Sequence, residues 1–381
     1  MSKFTQIFQY TGKKQIISYV LIAMIIVFGL EGITRTYQYF GTTCTFLESD
    51  VYPNLEYFEK KQICNDARMI KSIHTPLTEL IPNQHTSTNN INNFGFRGPD
   101  ITLEKPEDVY RIFLLGSSTT RGNGSTGDDT TISGFLQKYL EQENLPVKIE
   151  VINAGINAYF SLWEKQLIEN KLLEFDPDMI ITYSGFADLD TSIEYHKGEK
   201  YEISLVDKTI EKIHEIIPEY QSLEALRKLQ ADFRKDIQIQ EINSEINTER
   251  IKTSEVPEKV QFWKQRWFEI CELGTKEGFK TVIFLQPIAG SGNKVLSETE
   301  NMAYEKNVKN YVNEYEKFAV EINELDQKCS GAKDLRHIFD EYSHTIQYDG
   351  IHTVDEGNKI IADNMYESIL PIIQNKIEMS K

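Results

Sequence analysis

Cysteine and positive charge are both scarce in this chain of 381 residues. The four cysteines (Cys44, Cys64, Cys271, Cys329) stand far apart with no C-x-x-C pair, which argues against a zinc ribbon or a thioredoxin-like dithiol. Lys plus Arg total 41 against 58 Asp plus Glu, a net charge of -17. A nucleic-acid partner needs a basic face, and none is offered here. The histidines show no H-x-x-x-H or H-x-H spacing, so no metal site is expected. Long blocks of like charge and fixed-period repeats are also missing, which excludes solenoids and propellers. What the chain does have is apolar mass. Its hydrophobic fraction is 40%, with 20 Phe and 19 Tyr, enough to bury a sizeable core and to exclude wholesale disorder.

The longest apolar run lies at the N-terminus. Residues 15–30 (QIISYVLIAMIIVFGL) carry no charge and follow Lys3, Lys13 and Lys14. With Glu31 tolerated, the stretch reaches the roughly 20 residues that a bilayer-spanning helix needs. The basic residues before it place 1–14 in the cytoplasm, 15–35 in the bilayer as an uncleaved anchor, and the rest of the chain outside. A cleaved signal peptide and a buried core helix are the competing readings. Gly29, Gly32 and Thr34 do not form a clean small-x-small cleavage site. In an oxidising space the cysteines can form two bridges in three pairings. Cys44 with Cys64 is the natural choice, because both fall in the juxtamembrane region 36–104.

Four short runs, 111–115 (RIFLL), 149–153 (IEVIN), 179–183 (MIITY) and 281–285 (TVIFL), are apolar almost throughout rather than alternating. That pattern suits strands covered on both faces, as in a parallel sheet. Residues 132–143, 162–173 and 260–273 between them place apolar side chains on one helical face. Strands alternating with helices predict a three-layer α/β/α sandwich over 105–381. The charged, glycine-poor segment 191–259 breaks the alternation and reads as a helical insertion.

In open parallel sheets chemistry gathers at the carboxyl ends of the strands. After the first run comes Gly116-Ser117-Ser118-Thr119, and after the second Ala154-Gly155-Ile156-Asn157. Ser184-Gly185-Phe186-Ala187-Asp188 follows the third, and Tyr348-Asp349-Gly350-Ile351-His352 stands near the C-terminus. A serine hydroxyl becomes a nucleophile only when a base takes its proton, which His352 can do near neutral pH. Asp349 can hold the imidazole in one tautomer and stabilise its cation. The backbone N–H groups of Ser118 and Gly155 are candidate donors to an oxyanion. Taken singly, Ser118 reads equally as a helix N-cap, Gly155 as a turn glycine, and Asp349 and His352 as local turn residues. Their joint order points to a serine esterase. Ser117 is the nearest rival nucleophile.

This order and spacing resemble the SGNH (GDSL-type) hydrolase superfamily, in particular its membrane-anchored extracytoplasmic members. NNFGFRGPDITLEKPEDVYRIFLLGSSTTRGNG is similar to the segment that leads into their nucleophile block. VINAGINAY, FDPDMIITYSG and YDGIHTVDEGNKIIAD are similar to the later blocks, and FKTVIFLQP with LSETE to the fourth strand and its loop. The likeness covers roughly 92–190 and 255–375. It implies a flavodoxin-like sandwich of about five parallel strands. It also implies Ser118 as nucleophile, Gly155 as oxyanion donor, Asp349 and His352 as the remaining catalytic pair, and no metal or organic cofactor. The family's third block reads Gly-x-Asn-Asp, and here Ala187 stands at the asparagine position. Losing one oxyanion donor typically costs on the order of 10² to 10³ in rate, unless Asn157 or Ser184 replaces it. The expectation is a serine-dependent esterase acting on O-acyl groups, acetyl above all, of surface glycans or other envelope components. An O-acyltransferase using the same residues and a non-catalytic glycan-binding scaffold are the alternatives; no residue is assigned to substrate binding.

Overall fold

The computed structural model describes residues 17–34, 36, 44–73, 78–197 and 252–379. Residues 1–14 and most of the insertion read at 191–259 lie outside the described residues. The chain divides into two units, one of residues 1–43 with 201–248 and one of residues 44–200 with 249–381. In the first unit, the helix Ile17–Thr34 is long and apolar enough to cross a membrane.

The second unit is built on five parallel strands: β1 (Val109–Gly116), β2 (Lys148–Asn153), β3 (Met179–Ser184), β4 (Lys280–Leu285) and β5 (Gly331–Asp334). Their order across the sheet is β2-β1-β3-β4-β5. Phe113 of β1 pairs with Ile152 of β2 and Ile180 of β3, and Tyr183 of β3 pairs with Phe284 of β4. The apolar runs are continuous because both faces are covered. Phe113 and Leu115 enter one core with Trp263, Trp267 and Phe318, whereas Ile112 and Leu114 enter the other with Leu136, Met365 and Ile369. Helices α1 (Ile132–Glu141) and α5 (Asp355–Met379) cover the second face, and α2 (Ser161–Asn170), α3 (Val256–Glu277) and α4 (Lys309–Lys328) cover the first. The three-layer α/β/α sandwich therefore forms as expected. β5 (GAKD) has no apolar run of its own. It is half-buried along its length at the sheet edge, where one strand face needs less cover.

Residues 44–104 belong to this same unit. They hold the helix Tyr57–Met69 and two short antiparallel ladders. Arg97 then bridges to Asn153 at the end of β2, bringing the extension against the sheet. Cys44 is bonded to Cys64, the expected pair, and Cys271 to Cys329. The second bond ties α3 to the residue just past α4.

One buried acid stands out between α2 and the sheet. Glu164 accepts from Thr182 Oγ1 at 2.5 Å, while its Oε1 has no partner among the described residues. Burial pushes its carboxyl up to about 8, against the Thr182 bond and with help from the charge of Asp188. Its folded-state value thus exceeds the unfolded one. The stabilisation it brings is complete below the ordinary glutamate range, about 4.3, and is lost as pH rises toward about 8. Glu164→Gln, neutral at every pH, is expected to flatten the decline of Tm over that window. An unchanged Tm–pH slope would refute the assignment.

Candidate active site

Three loops and the turn before α5 meet at the carboxyl edge of the sheet. β1 ends at Gly116, whose φ is +147°. A Cβ there would lie 2.1 Å from Thr120 Oγ1 and 2.6 Å from Tyr183 O, so only glycine lets the chain turn this tightly. The turn delivers Ser118 as the first residue of the helix Ser118–Arg121, which is closed by Gly122 in the left-handed conformation.

On the other side, Tyr348 N donates to His352 O at 3.1 Å, closing a turn that carries Asp349 and His352. Ser118 Oγ lies 2.6 Å from His352 Nε2. His352 Nδ1 lies 2.8 Å from Asp349 Oδ2. Asp349 Oδ1 accepts the backbone N–H groups of His352 at 2.8 Å and Ile351 at 3.1 Å. Burial by itself would raise this carboxyl. The neighbouring His352 and the N–H groups of 351 and 352 outweigh burial and hold it below the usual carboxylate range. An ionised carboxylate, an oriented imidazole and a hydroxyl thus form one hydrogen-bonded line across 234 residues of sequence. Such a line can take the hydroxyl proton as the oxygen attacks an electrophile. Ser117, the rival, has its Oγ 3.5 Å from Thr119 Oγ1.

Gly155 sits under the nucleophile helix. A Cβ on it would lie 2.3 Å from Arg121 N and 2.8 Å from the carbonyl carbon of Thr120. Its own N–H donates to Asn153 Oδ1 at 3.0 Å, and Asn153 Nδ2 donates to Thr120 O at 2.8 Å. Further along the same loop Asn157 and Ala158 are exposed, and Ala158 takes φ +62°. Asn157 Oδ1 accepts from Asn123 Nδ2 at 3.3 Å. In the third loop the methyl group of Ala187 offers no donor. Ser184 is buried, with Trp263 Nε1 donating to its Oγ at 3.2 Å. Asp188 is buried against Ser161, whose N–H approaches its two oxygens at 3.1 and 3.2 Å. Burial raises its carboxyl to about 6 against those bonds and the charge of Arg266.

Arg97 is the residue the sequence reading passed over, although it stands in the FGFRG segment. Its side chain is 1% exposed and its Nε pairs with Asp128 Oδ1 at 2.8 Å. Nη1 donates to Arg121 O at 2.9 Å and Gly122 O at 2.8 Å, while Nη2 donates to Thr88 O at 2.7 Å. A guanidinium thus satisfies the carbonyls at the end of the nucleophile helix. Its only signal in the sequence is an arginine set among glycine and phenylalanine.

A GDSL-like lipase/acylhydrolase family model matches residues 112–365. Among solved structures, an acetyl xylan esterase, AlAXEase, is 16% identical with a TM-score of 0.37, over 68% of this chain and 99% of that one. The psychrotrophic esterase EstA from Pseudoalteromonas sp. is 12% identical with a TM-score of 0.39, over 69% and 98%. TesA is 13% identical with a TM-score of 0.39, over 68% and 98%. No protein of curated function matches the chain in sequence.

Because Gly155 faces backbone rather than a movable side chain, Gly155→Ala should destabilise the fold by about 1–3 kcal/mol. Urea unfolding measures this, and an unchanged midpoint would mean that the two loops have room to part.

Proposed function

The chain belongs to the GDSL-like lipase/acylhydrolase family, and from that premise we propose that it is a serine-dependent acyl esterase working outside the cytoplasm. The observation that carries the reading is the line from Ser118 Oγ to His352 Nε2 at 2.6 Å and from His352 Nδ1 to Asp349 Oδ2 at 2.8 Å. Ser118 Oγ attacks the ester carbonyl as its proton passes to His352 Nε2. Asp349 stabilises the resulting imidazolium. The tetrahedral intermediate collapses, and its alcohol leaves with that proton. Water then gives a proton to the same nitrogen as it attacks the acyl-serine, and the second intermediate collapses to release the acid as His352 returns that proton to Ser118 Oγ. No metal or organic cofactor takes part in these steps.

The oxyanion needs backbone donors. Ser118 N–H is one, at the start of its helix. Gly155 N–H, which bonds Asn153 Oδ1 at 3.0 Å in the free chain, is the expected second. With Ala187 in the third loop and Ser184 turned into the core, Asn157 is left as the side-chain substitute.

Two disulfides suit an oxidising compartment, and the apolar helix Ile17–Thr34 supplies an anchor. On this reading residues 1–14 are cytoplasmic, 15–35 cross the lipid bilayer, 36–104 are an extension, and 105–381 carry the site with its insertion. The substrates are acyl esters, acetyl foremost, on surface glycans or other envelope components. Ala187 is the one feature that favours a second reading, a non-catalytic glycan-binding scaffold that keeps the fold with a degraded site; transfer of the acyl group to a glycan hydroxyl would use the same residues.

The test is hydrolysis of p-nitrophenyl acetate and longer acyl esters by the detergent-extracted chain. Ser118→Ala and His352→Ala should each lower kcat by roughly 10³-fold or more. Equal rates in wild type and both variants would overturn the reading. Stimulation of turnover only by an added glycan would favour transfer.

A further inference from the structure

The extension that precedes the sandwich makes contacts that the esterase chemistry does not use. Phe46, Val51, Tyr52, Ile63 and Cys64 form a small buried core, and two residues from the far end of the chain complete it: Tyr348 and Val354. These two flank His352. The Tyr348 ring stacks on the His352 imidazole, with centroids 5.7 Å apart and planes 16° from parallel. Phe46 packs edge-on against the Tyr348 ring at 5.5 Å. The Tyr348 hydroxyl donates to Asn123 O at 3.3 Å, and Asn123 N donates to Ser118 O at 3.1 Å.

A second tie runs through Tyr52. Its hydroxyl lies 2.5 Å from Gly124 O and 3.0 Å from Asp355 Oδ1. Asp355 also accepts the Thr126 N–H at 2.9 Å and the Thr126 hydroxyl at 2.5 Å. Gly124 lies two residues beyond the cap of the nucleophile helix, and Asp355 lies three residues beyond His352. One side chain from the extension therefore touches both halves of the site. Gly124 itself is at φ +94°, and a Cβ on it would meet Tyr348, Val354 and Phe46 within 3.6 Å. The nucleophile loop lies directly on this small core.

We propose that residues 44–69, closed on themselves by the Cys44–Cys64 bond, are a brace that sets the distance and orientation between Ser118 and His352, with Tyr52 and Phe46 as its positioning residues. The inference rests on the esterase reading for its kinetic meaning. Nucleophile and base come from loops 234 residues apart in sequence that meet directly through Asp355 and Thr126, and the brace packs on both of them. A misplacement of about 1 Å at such a site costs on the order of 100-fold in rate. Tyr348 carries the position of Phe46 to the imidazole, and Tyr52 meets the Gly124 carbonyl on one side and the Asp355 carboxylate on the other.

The experiment compares the detergent-extracted wild type with Tyr52→Phe, Phe46→Leu and the double variant Cys44→Ser, Cys64→Ser. Tyr52→Phe keeps the ring in its core and removes only the hydroxyl. Its expected result is kcat lowered roughly 10- to 100-fold with KM unchanged, in protein whose thermal unfolding shows it to be folded. Phe46→Leu and the double cysteine variant are expected to move kcat in the same direction. A kcat for Tyr52→Phe equal to wild type, or lowered only in proportion to the fraction unfolded, overturns the brace. A second measurement does not need turnover: the ring resonances of His352 in protein labelled at histidine with nitrogen-15. Loss or broadening of the Nδ1–H signal in Tyr52→Phe supports the brace, and an unchanged signal overturns it. If the wild type hydrolyses no ester, the esterase reading has failed and this resonance alone decides the brace.

Discussion

Every part of the site depends on how closely its backbone segments approach one another. The turn after β1 passes within contact of Tyr183 O on one side and of the loop after β2 on the other. Glycine is required at both crossings, because a Cβ at Gly116 or Gly155 would come within 2.1–2.3 Å of its nearest neighbour. Backbone-to-backbone packing leaves no slack for Ser118 to wander. In this chain Gly155 is needed for its lack of a side chain.

Around this tight crossing the protein has arranged polar anchors of different strength. Arg97 is almost fully buried, and it is compensated by Asp128 and by carbonyls that the short nucleophile helix would otherwise leave unbonded. Such a group is costly to bury unless every donor finds a partner, and once partnered it resists displacement. Asp349 is held ionised by an adjacent imidazole and two amides. Glu164 and Asp188, deeper in the helix layer, are both pushed toward the protonated form by burial. Buried acids of one domain are thus shifted in opposite directions, according to the charges and donors that reach each of them.

The extension is part of the same mechanical arrangement. In sequence it looks like a spacer between an apolar helix and an enzyme. In the structure its aromatic residues complete a core with Tyr348 and Val354, beside His352. This gives a physical reason for a disulfide in so short a segment. A cross-link closing a loop of about 20 residues removes unfolded-state freedom worth about 3 kcal/mol, which steadies a patch too small to fold by burial alone.

The sequence by itself determined the parallel sandwich. Runs such as RIFLL and MIITY are apolar almost throughout rather than alternating, a pattern that suits strands covered on both faces. It also determined which loops would hold a serine, an aspartate and a histidine, because chemistry in such folds follows the strand ends. β5 was legible only through family likeness, since GAKD at a sheet edge carries no hydrophobic signature. Whether Ser184 faces solvent or Trp263 depended on a side-chain contact between segments far apart in sequence. The placement of Arg97, and of Tyr52 against Gly124 and Asp355, was likewise decided only by tertiary structure. A hydrogen bond between residues 303 positions apart leaves no periodicity and no spacing to read; it exists only after the chain has folded.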